Sequence, residues 1–316
     1  MIVVTTPTGN IGRHVVRHLL DAGQALRLIV RDPSKLAQEV RDQVEVVEGS
    51  HGDADMVDRA FRGADAVFWL CPPTPAATPA AATVDFARPG AAAMRRHGVR
   101  HIVAATTLGR DTPWQERAGN ATGSIHMVDL LRTTGAAVRG LALPGFMDNA
   151  LLQAGAIRQG KMFGPIAPDK KLPHTATRDT GAAAADLLID RSWSGQEDVP
   201  VLGPEELSYA ELAAIVSDVI GREVRYEHQT YEEYKSAAMA RGLTDAFAQG
   251  YVDMLRAKEE GMDNFAARAT AIIGATSFRR WAEEALRPAI TEGPCGGALR
   301  ARNPEHALFE ATGVYD

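Results

Sequence analysis

The residues with the clearest chemical potential stand near the start of the chain, in the run Thr5-Thr6-Pro7-Thr8-Gly9-Asn10-Ile11-Gly12. A turn that opens a helix presents unpaired N–H groups and a partial positive charge, and a pyrophosphate satisfies both. Gly9 would let the backbone approach the phosphates, and Gly12 would let the helix pack closely on the preceding strand. The commoner pattern carries a further glycine where Thr6 stands, so this chain gives up turn freedom there and gains a hydroxyl donor. A generic strand–helix turn is the competing reading. A second charged cluster, Arg31-Asp32-Pro33-Ser34-Lys35, begins 19 residues past Gly12 (31 − 12). At this spacing an acidic residue holds the ribose hydroxyls of NAD, whereas an arginine suits the 2′-phosphate of NADP. Arg31, with Lys35 as a second positive charge, points to NADP(H). Asp32 is the rival that would select NAD, but Asp32 followed by Pro33 also reads as a helix N-cap with proline in the first turn.

These residues need a scaffold, and the hydrophobic pattern supplies one. Short Val/Ile/Leu runs alternate with helical periodicity through the first half, the mark of βαβ units and a parallel sheet. Strands are predicted at Ile2–Thr5, Leu26–Val30, Val44–Glu48, Ala66–Leu70, His101–Ala105 and Ala137–Leu143. Helices are predicted from Gly12 to Ala22, from Asp53, before His101 with a break at Pro89-Gly90, and over Ser124–Thr134; Leu108–Gly123 reads as a loop. Beyond Pro144 helices dominate, at Asp148–Gln159, Thr180–Asp190, Ser208–Ile220, Thr230–Arg241, Thr244–Gly261 and Ser277–Leu286, with short strands at Val199–Leu202 and Val224–His228. Ser208…Glu211 and Thr230…Glu233 form capping boxes. The expected fold class is α/β, a Rossmann-type doubly wound parallel sheet with a smaller, mainly helical C-terminal substrate lobe. Residues 1–150 form the nucleotide-binding domain and 151–291 the lobe, with strands returning to the main sheet; the Gly-rich stretch 292–316 reads as a flexible tail.

Composition narrows the function. With 45% hydrophobic and 23% charged residues over 316 positions, the chain has ordinary globular proportions. A net charge of −6 argues against a nucleic-acid surface, and no apolar run reaches the length of a membrane span. The first residues enter a strand directly, without a basic region and apolar core, so a cytoplasmic location is expected. Cys71 and Cys295 are too far apart in sequence for a metal motif or disulfide framework, so no metal is expected. The expected partner is a small-molecule substrate, and the helical lobe and long tail leave room for a homodimer.

Taken in order, TPTGNIGRHVV, LIVRDPSKL, VEVVEGSHGD, GADAVFWLCPP, GVRHIVAATTLG and LPGFMDN resemble the NmrA-like branch of the atypical short-chain dehydrogenases. That branch includes NADPH-dependent quinone and azo reductases and redox-sensing regulators. The similarity runs from Met1 to about Gly261, and VLGPEELSYAELAAIVSDVIGREVRYEHQTYEEY matches the family's C-terminal lobe. The resemblance implies that Thr6, Thr8, Asn10 and Ile11 hold the pyrophosphate and Arg31 the adenosine phosphate. Ser50 stands where the family usually has an aspartate on the adenine. Cys71 and Pro72 would lie beside the second ribose, Thr106 and Thr107 replace paired serines near the nicotinamide, and Pro144, Gly145 and Phe146 would wrap it.

Typical short-chain dehydrogenases protonate their product with a Tyr-x-x-x-Lys pair, which this chain lacks: Tyr209, Tyr226, Tyr231, Tyr234, Tyr251 and Tyr315 lie outside the relevant helix. Ser124 stands at the expected position, and His126, two residues on, carries an imidazole, the side-chain type suited to proton transfer near neutral pH, which makes it the candidate proton donor against a surface or structural role. Thr106 would hydrogen-bond a carbonyl oxygen, or simply close its strand. Trp114 would stack on an aromatic substrate, with Met147, Asn149 and Phe163 at the pocket wall, although the apolar ones read equally as core. Cys71 reads as a buried strand-end residue, not a nucleophile. The expected activity is NADPH-dependent hydride transfer to a quinone-like, enone or other conjugated carbonyl substrate, because solvent can protonate such products. The rival is a non-catalytic NADP(H) sensor.

Overall fold

The structure is a computed structural model that describes residues 1–71, 78–266 and 268–291. Pro72 and the stretch 292–316 lie outside the described residues. The first six strands are β1 (Ile2–Thr5), β2 (Leu26–Val30), β3 (Glu45–Glu48), β4 (Ala66–Trp69), β5 (His101–Thr107) and β6 (Ala137–Leu143). They are followed by β7 (Gly145–Phe146), β8 (Lys161–Gly164), β9 (Lys171–Thr175), β10 (Gln196–Leu202), β11 (Glu206–Ser208), β12 (Arg225–His228) and β13 (Ile272–Ile273). The helices that matter here are α1 (Gly12–Asp21), α2 (Gln38–Arg41), α3 (Ala54–Ala60), α4 (Phe86–His97) and α5 (Asn120–Arg132). After them come α6 (Ala154–Ile157), α7 (Thr177–Ile189), α8 (Tyr209–Ile220), α9 (Tyr231–Ala240) and α10 (Asp245–Glu259).

The central sheet has eight parallel strands in the order β13-β10-β6-β5-β4-β1-β2-β3. Strand order reverses between β1 and β4, which in an open parallel sheet leaves a crevice at the carboxyl ends for a ligand. Side chains alternate in direction along each strand, so both faces need cover. On one face Val4, Leu28, Phe68 and Val103 pack against Val15, Val16 and Leu19 of α1 and Ala184 and Leu188 of α7. On the other, Val3, Val67, Trp69 and Ile102 pack against Val57 of α3, Met94 of α4 and Val128 and Leu131 of α5. The Rossmann-type sheet expected from the alternating pattern is present. β10, β13 and α7 also belong to its layers, although all lie past residue 150.

Several expected elements differ. The helix before β5 does not break at Pro89-Gly90. A π turn over Ala81–Asp85 runs into α4 just upstream of the proline, widening the ladder where the ring displaces the carbonyl of residue i−4. At Gly90 a Cβ would lie 2.3 Å from the Trp69 ring, so the glycine is a packing residue. The expected loop 108–123 ends in helix: α5 starts at Asn120, after Gly119 (φ +53), whose Cβ would lie 2.2 Å from the Gly250 carbonyl oxygen. The expected helix at 148–159 is a 3-10 run, Met147–Gln153, followed only by the short α6. Asp148 turns its carboxylate to the Thr177 N–H and hydroxyl at 3.1 and 2.9 Å, and Gln153 is tied to the Phe163 backbone, which prevents a regular ladder. Strands β8, β9 and β11 were not expected. They build two small sheets, β11-β9-β7 and β12-β8, under the C-terminal helices. No helix among the described residues is long and apolar enough to cross a membrane.

Candidate active site

The nucleotide end is made mostly of backbone. The Thr5 hydroxyl donates to the Phe68 carbonyl at 3.1 Å and accepts from the Leu70 N–H at 3.0 Å, fastening β1 to β4 where the chain leaves the sheet. Thr6 then adopts φ +47, the left-handed region that favours the glycine of the commoner pattern, at a cost of about 1 kcal/mol for a residue with a Cβ. The Gly9 N–H closes the turn on the Thr6 carbonyl at 3.1 Å. A Cβ at Gly12 would lie 1.9 Å from that same oxygen, so the turn admits only glycine there. Helix α1 starts at Gly12, and Ile11 at its N-cap offers no side-chain hydrogen bond to the helix amides. The Thr6 hydroxyl oxygen is buried with no partner. A strained turn, an orphaned hydroxyl and a helix start without a side-chain cap fit the pyrophosphate of a dinucleotide.

Arg31 and Lys35 are exposed just past β2. Asp32 is committed elsewhere: its Oδ1 accepts from the Ser34 N–H at 3.0 Å and hydroxyl at 2.6 Å, and these bonds hold its carboxyl below the usual range. It caps the turn Pro33–Lys35, the local role its sequence allowed. The Ser50 hydroxyl accepts from the Gly52 N–H at 3.2 Å. Next to it His51 is buried edge-on to Trp69 and Phe86, and its Nε2–H donates to the Leu70 carbonyl at 2.9 Å. Burial lowers its pKa to about 4, so it is neutral at physiological pH. Burial also pushes the Cys71 thiol up to about 12, which leaves it inert.

The reaction end is made of side chains. At the carboxyl ends of β5 and β6 lies a cavity of about 120 Å³. Thr106, Thr107 and Leu143–Phe146 form its floor, Asn120, Ala121 and Ser124 of α5 one side, and Tyr209, Tyr234 and the inner face of α10 its roof. That inner face is Phe247, Tyr251, Met254, Leu255 and Lys258, a helical stripe that ends in a charge. The Thr106 hydroxyl, the Asn149 Oδ1 and both polar atoms of the Asn120 amide are buried without partners. Burial raises the Tyr209 phenol's pKa and pushes that of Tyr234 up to about 12, so both stay protonated. Lys258, 7% exposed, donates to Asp263 Oδ2 at 2.6 Å. Burial raises the pKa of Asp263 and Lys258 opposes that shift. His174 on β9, paired in register with Gly145, is also buried and neutral, its pKa lowered to about 4 by burial and then by the charge of Lys258.

Of the expected site residues, Thr106, Thr107, Pro144, Gly145, Phe146 and Asn149 do meet at this cavity. Four others do not. His126 is two residues on from Ser124, about 200° round the helix, and points away to Glu116 at 3.1 Å. Trp114 is drawn off by the Glu260 carboxylate, 2.8 Å from its indole N–H. Met147 packs in the core beneath the lobe, and Phe163 lies on β8 outside the cavity lining. Missing from the expectation were Asn120, Tyr209, Tyr234, Tyr251 and Lys258; the α10 stripe was the signal that would have located Tyr251 and Lys258.

Comparison with known proteins identifies the family. Residues 7–143 match a family model described as NAD(P)H-binding. A (4-alkanoyl-5-oxo-2,5-dihydrofuran-3-yl)methyl phosphate reductase of Streptomyces griseus is 33% identical over 264 residues, 79% of this chain and 85% of that protein. An NAD(P)H azoreductase of Xenophilus azovorans is 30% identical over 249 residues, 78% and 84% of the two chains. Among solved structures, an Escherichia coli NADPH-dependent quinone oxidoreductase complexed with NADPH superposes with a TM-score of 0.74 at 23% identity, covering 90% of this chain and 99% of that one. The chain belongs to the NmrA-like family of atypical short-chain dehydrogenases, a family of NAD(P)H-dependent oxidoreductases.

Proposed function

We propose that the protein is an NADPH-dependent reductase of flat conjugated carbonyl compounds such as quinones and enones. The observation that carries this reading is the aromatic-walled cavity at the ends of β5 and β6, whose Thr106, Asn120 and Asn149 carry buried, unpartnered polar atoms. Buried polar groups ordinarily find partners, so three such side chains facing one cavity mark where a ligand supplies them. Thr6, Thr8, Gly9, Asn10, Ile11 and Gly12 would hold the pyrophosphate, Arg31 and Lys35 the 2′-phosphate, and Ser50, Cys71 and Pro72 the adenosine and second ribose. Thr107, Pro144, Gly145 and Phe146 would seat the nicotinamide, which when bound supplies a hydride to the acceptor. Residues 1–150 would thus hold the nucleotide and, through Thr106, Asn120 and Asn149, part of the acceptor cavity, which the lobe 151–291 completes. The butenolide, azo and quinone reductases similar to this chain support a conjugated acceptor. The test is loss of NADPH absorbance with a panel of quinones, enones and simple aldehydes. Turnover of the conjugated compounds over the aldehydes is expected; tight NADPH binding with no turnover of any acceptor would favour a nucleotide sensor and sink this reading.

A further inference from the structure

Lys258 ties the end of α10 to the following turn through Asp263, but a charge is an unusual choice for that buried position. It continues an apolar stripe, it is 7% exposed, and its partner Asp263 is 2% exposed. A buried ion pair of this kind is often matched or bettered in stability by apolar residues of the same volume, because both charges lose their water. Nor is the pair satisfied internally. Asp263 Oδ2 accepts from Lys258, but Oδ1 is buried without a partner. Asp263 takes one of the three ammonium donors, and Lys258 lines the cavity. The same cavity holds the orphaned amide of Asn120 and the orphaned hydroxyl of Thr106. It therefore combines aromatic walls with a group of donors that includes a lysine paired with a carboxylate.

We propose that Lys258 is a catalytic residue, which binds the oxygen of the acceptor and gives it a proton as it is reduced, with Asp263 as its positioning residue. The inference rests on the reductase reading above and names the protein group that completes it. With a quinone, hydride from NADPH adds two electrons and one hydrogen, and the displaced π pair moves onto a carbonyl oxygen. That oxygen forms an O–H bond as an N–H bond of Lys258 breaks; water then reprotonates the amine. The products are hydroquinone and NADP⁺, with one proton taken from solvent. The site would accordingly prefer acceptors whose reduction leaves charge on oxygen.

The probe is 4-nitrophenol, a product mimic whose colour reports whether it is phenol or phenolate. With protein and NADP⁺, the wild type should bind it as phenolate and lower its apparent pKa by about one unit, as a nearby cation does. The variant Lys258→Met/Asp263→Leu removes both charges and strands neither. It should bind NADPH normally, lose the colour shift and reduce quinone about 100-fold more slowly, as when an oxyanion donor is removed. Should it fail to fold, Lys258→Gln/Asp263→Asn, a pair of nearly unchanged size, carries the same expectation. Lys258→Arg should keep the colour shift, and so should Asp263→Asn with a weaker one. No colour shift in the wild type overturns the proposal, as does a rate loss with the shift intact, which would make the pair merely structural. If the wild type reduces no acceptor, the reductase reading fails on its own, and a colour shift lost in the double variant still assigns Lys258 to the binding of an oxyanion.

Discussion

At the proposed nucleotide end the groups on offer to a ligand are backbone amides and one hydroxyl, held in a turn where Gly12 has no room for a Cβ. At the reaction end, along the same edge of the sheet, they are side chains from α5, α8, α9 and α10 gathered over β5 and β6. The first end is rigid because its geometry is fixed by close backbone approach. The second is adjustable, since side chains on four helices can change without disturbing the sheet. Such a division lets one cofactor site serve different acceptors.

The comparison can be broken most forcefully at the reaction end. Lys258→Met alone leaves the Asp263 carboxylate buried without its cation, and should destabilise the protein by about 3–5 kcal/mol. Urea unfolding of the single and double variants reads this directly, and equal stability of the two would contradict a buried pair. At the nucleotide end Gly12→Ala should weaken NADPH binding at least roughly 100-fold, or about 2.7 kcal/mol, by forcing the Thr6–Gly12 turn apart. Titration of cofactor fluorescence measures it, and retention of tight binding would mean that the turn does not hold the pyrophosphate.

His51 at one end and His174 at the other are fully buried, with pKa values lowered from 6.5 to about 4; burial lowers that of the half-buried His14 on α1 to about 4 as well. The unfolded chain takes up these protons below pH 6.5 while the folded protein does not until about pH 4. The stability they confer is therefore complete above pH 6.5 and lost as pH falls towards 4. His51 and His174 should each subtract about 2 kcal/mol between pH 7 and pH 5. Unfolding curves at the two pH values, for wild type and His174→Leu, check this; an unchanged slope in the variant would show that His174 titrates normally.

Smaller effects sharpen the contrast. Arg31→Ala should reduce the preference for NADPH over NADH about tenfold, one lost charge-assisted contact. Equal loss of both affinities would remove Arg31 from the 2′-phosphate. His126→Gln should leave turnover within about twofold, because its side chain faces Glu116 and solvent; a drop of tenfold or more would restore it as a proton donor.

How far the sequence could be read followed the same division. The doubly wound sheet was legible because strands buried on both faces are continuous apolar runs, and the tight turn between β1 and α1 because its parts are neighbours in the chain. The reaction end was not, since residues 106, 120, 149, 209, 251 and 258 acquire meaning only when five elements converge. His126 shows how small the error can be: a shift of two residues from Ser124 turns a side chain to the opposite face of the helix. Strand β9 is buried over Leu172–Thr175, yet it carries no strand pattern because Pro173 and the polar His174 and Thr175 interrupt the apolar run.

The late return of the chain to its main sheet has a consequence for biosynthesis. During translation β6 emerges with one side unpaired and waits for β10, while the apolar side of α1 waits for α7, whose Gly181 packs against His14 and Ile11. A nascent chain ending near Ala150 thus exposes a strand edge and a greasy helix face, the features that recruit chaperones or drive aggregation. The first six strands therefore complete their sheet and its helical cover only once α7 and β10, which end at Leu202, have also been made.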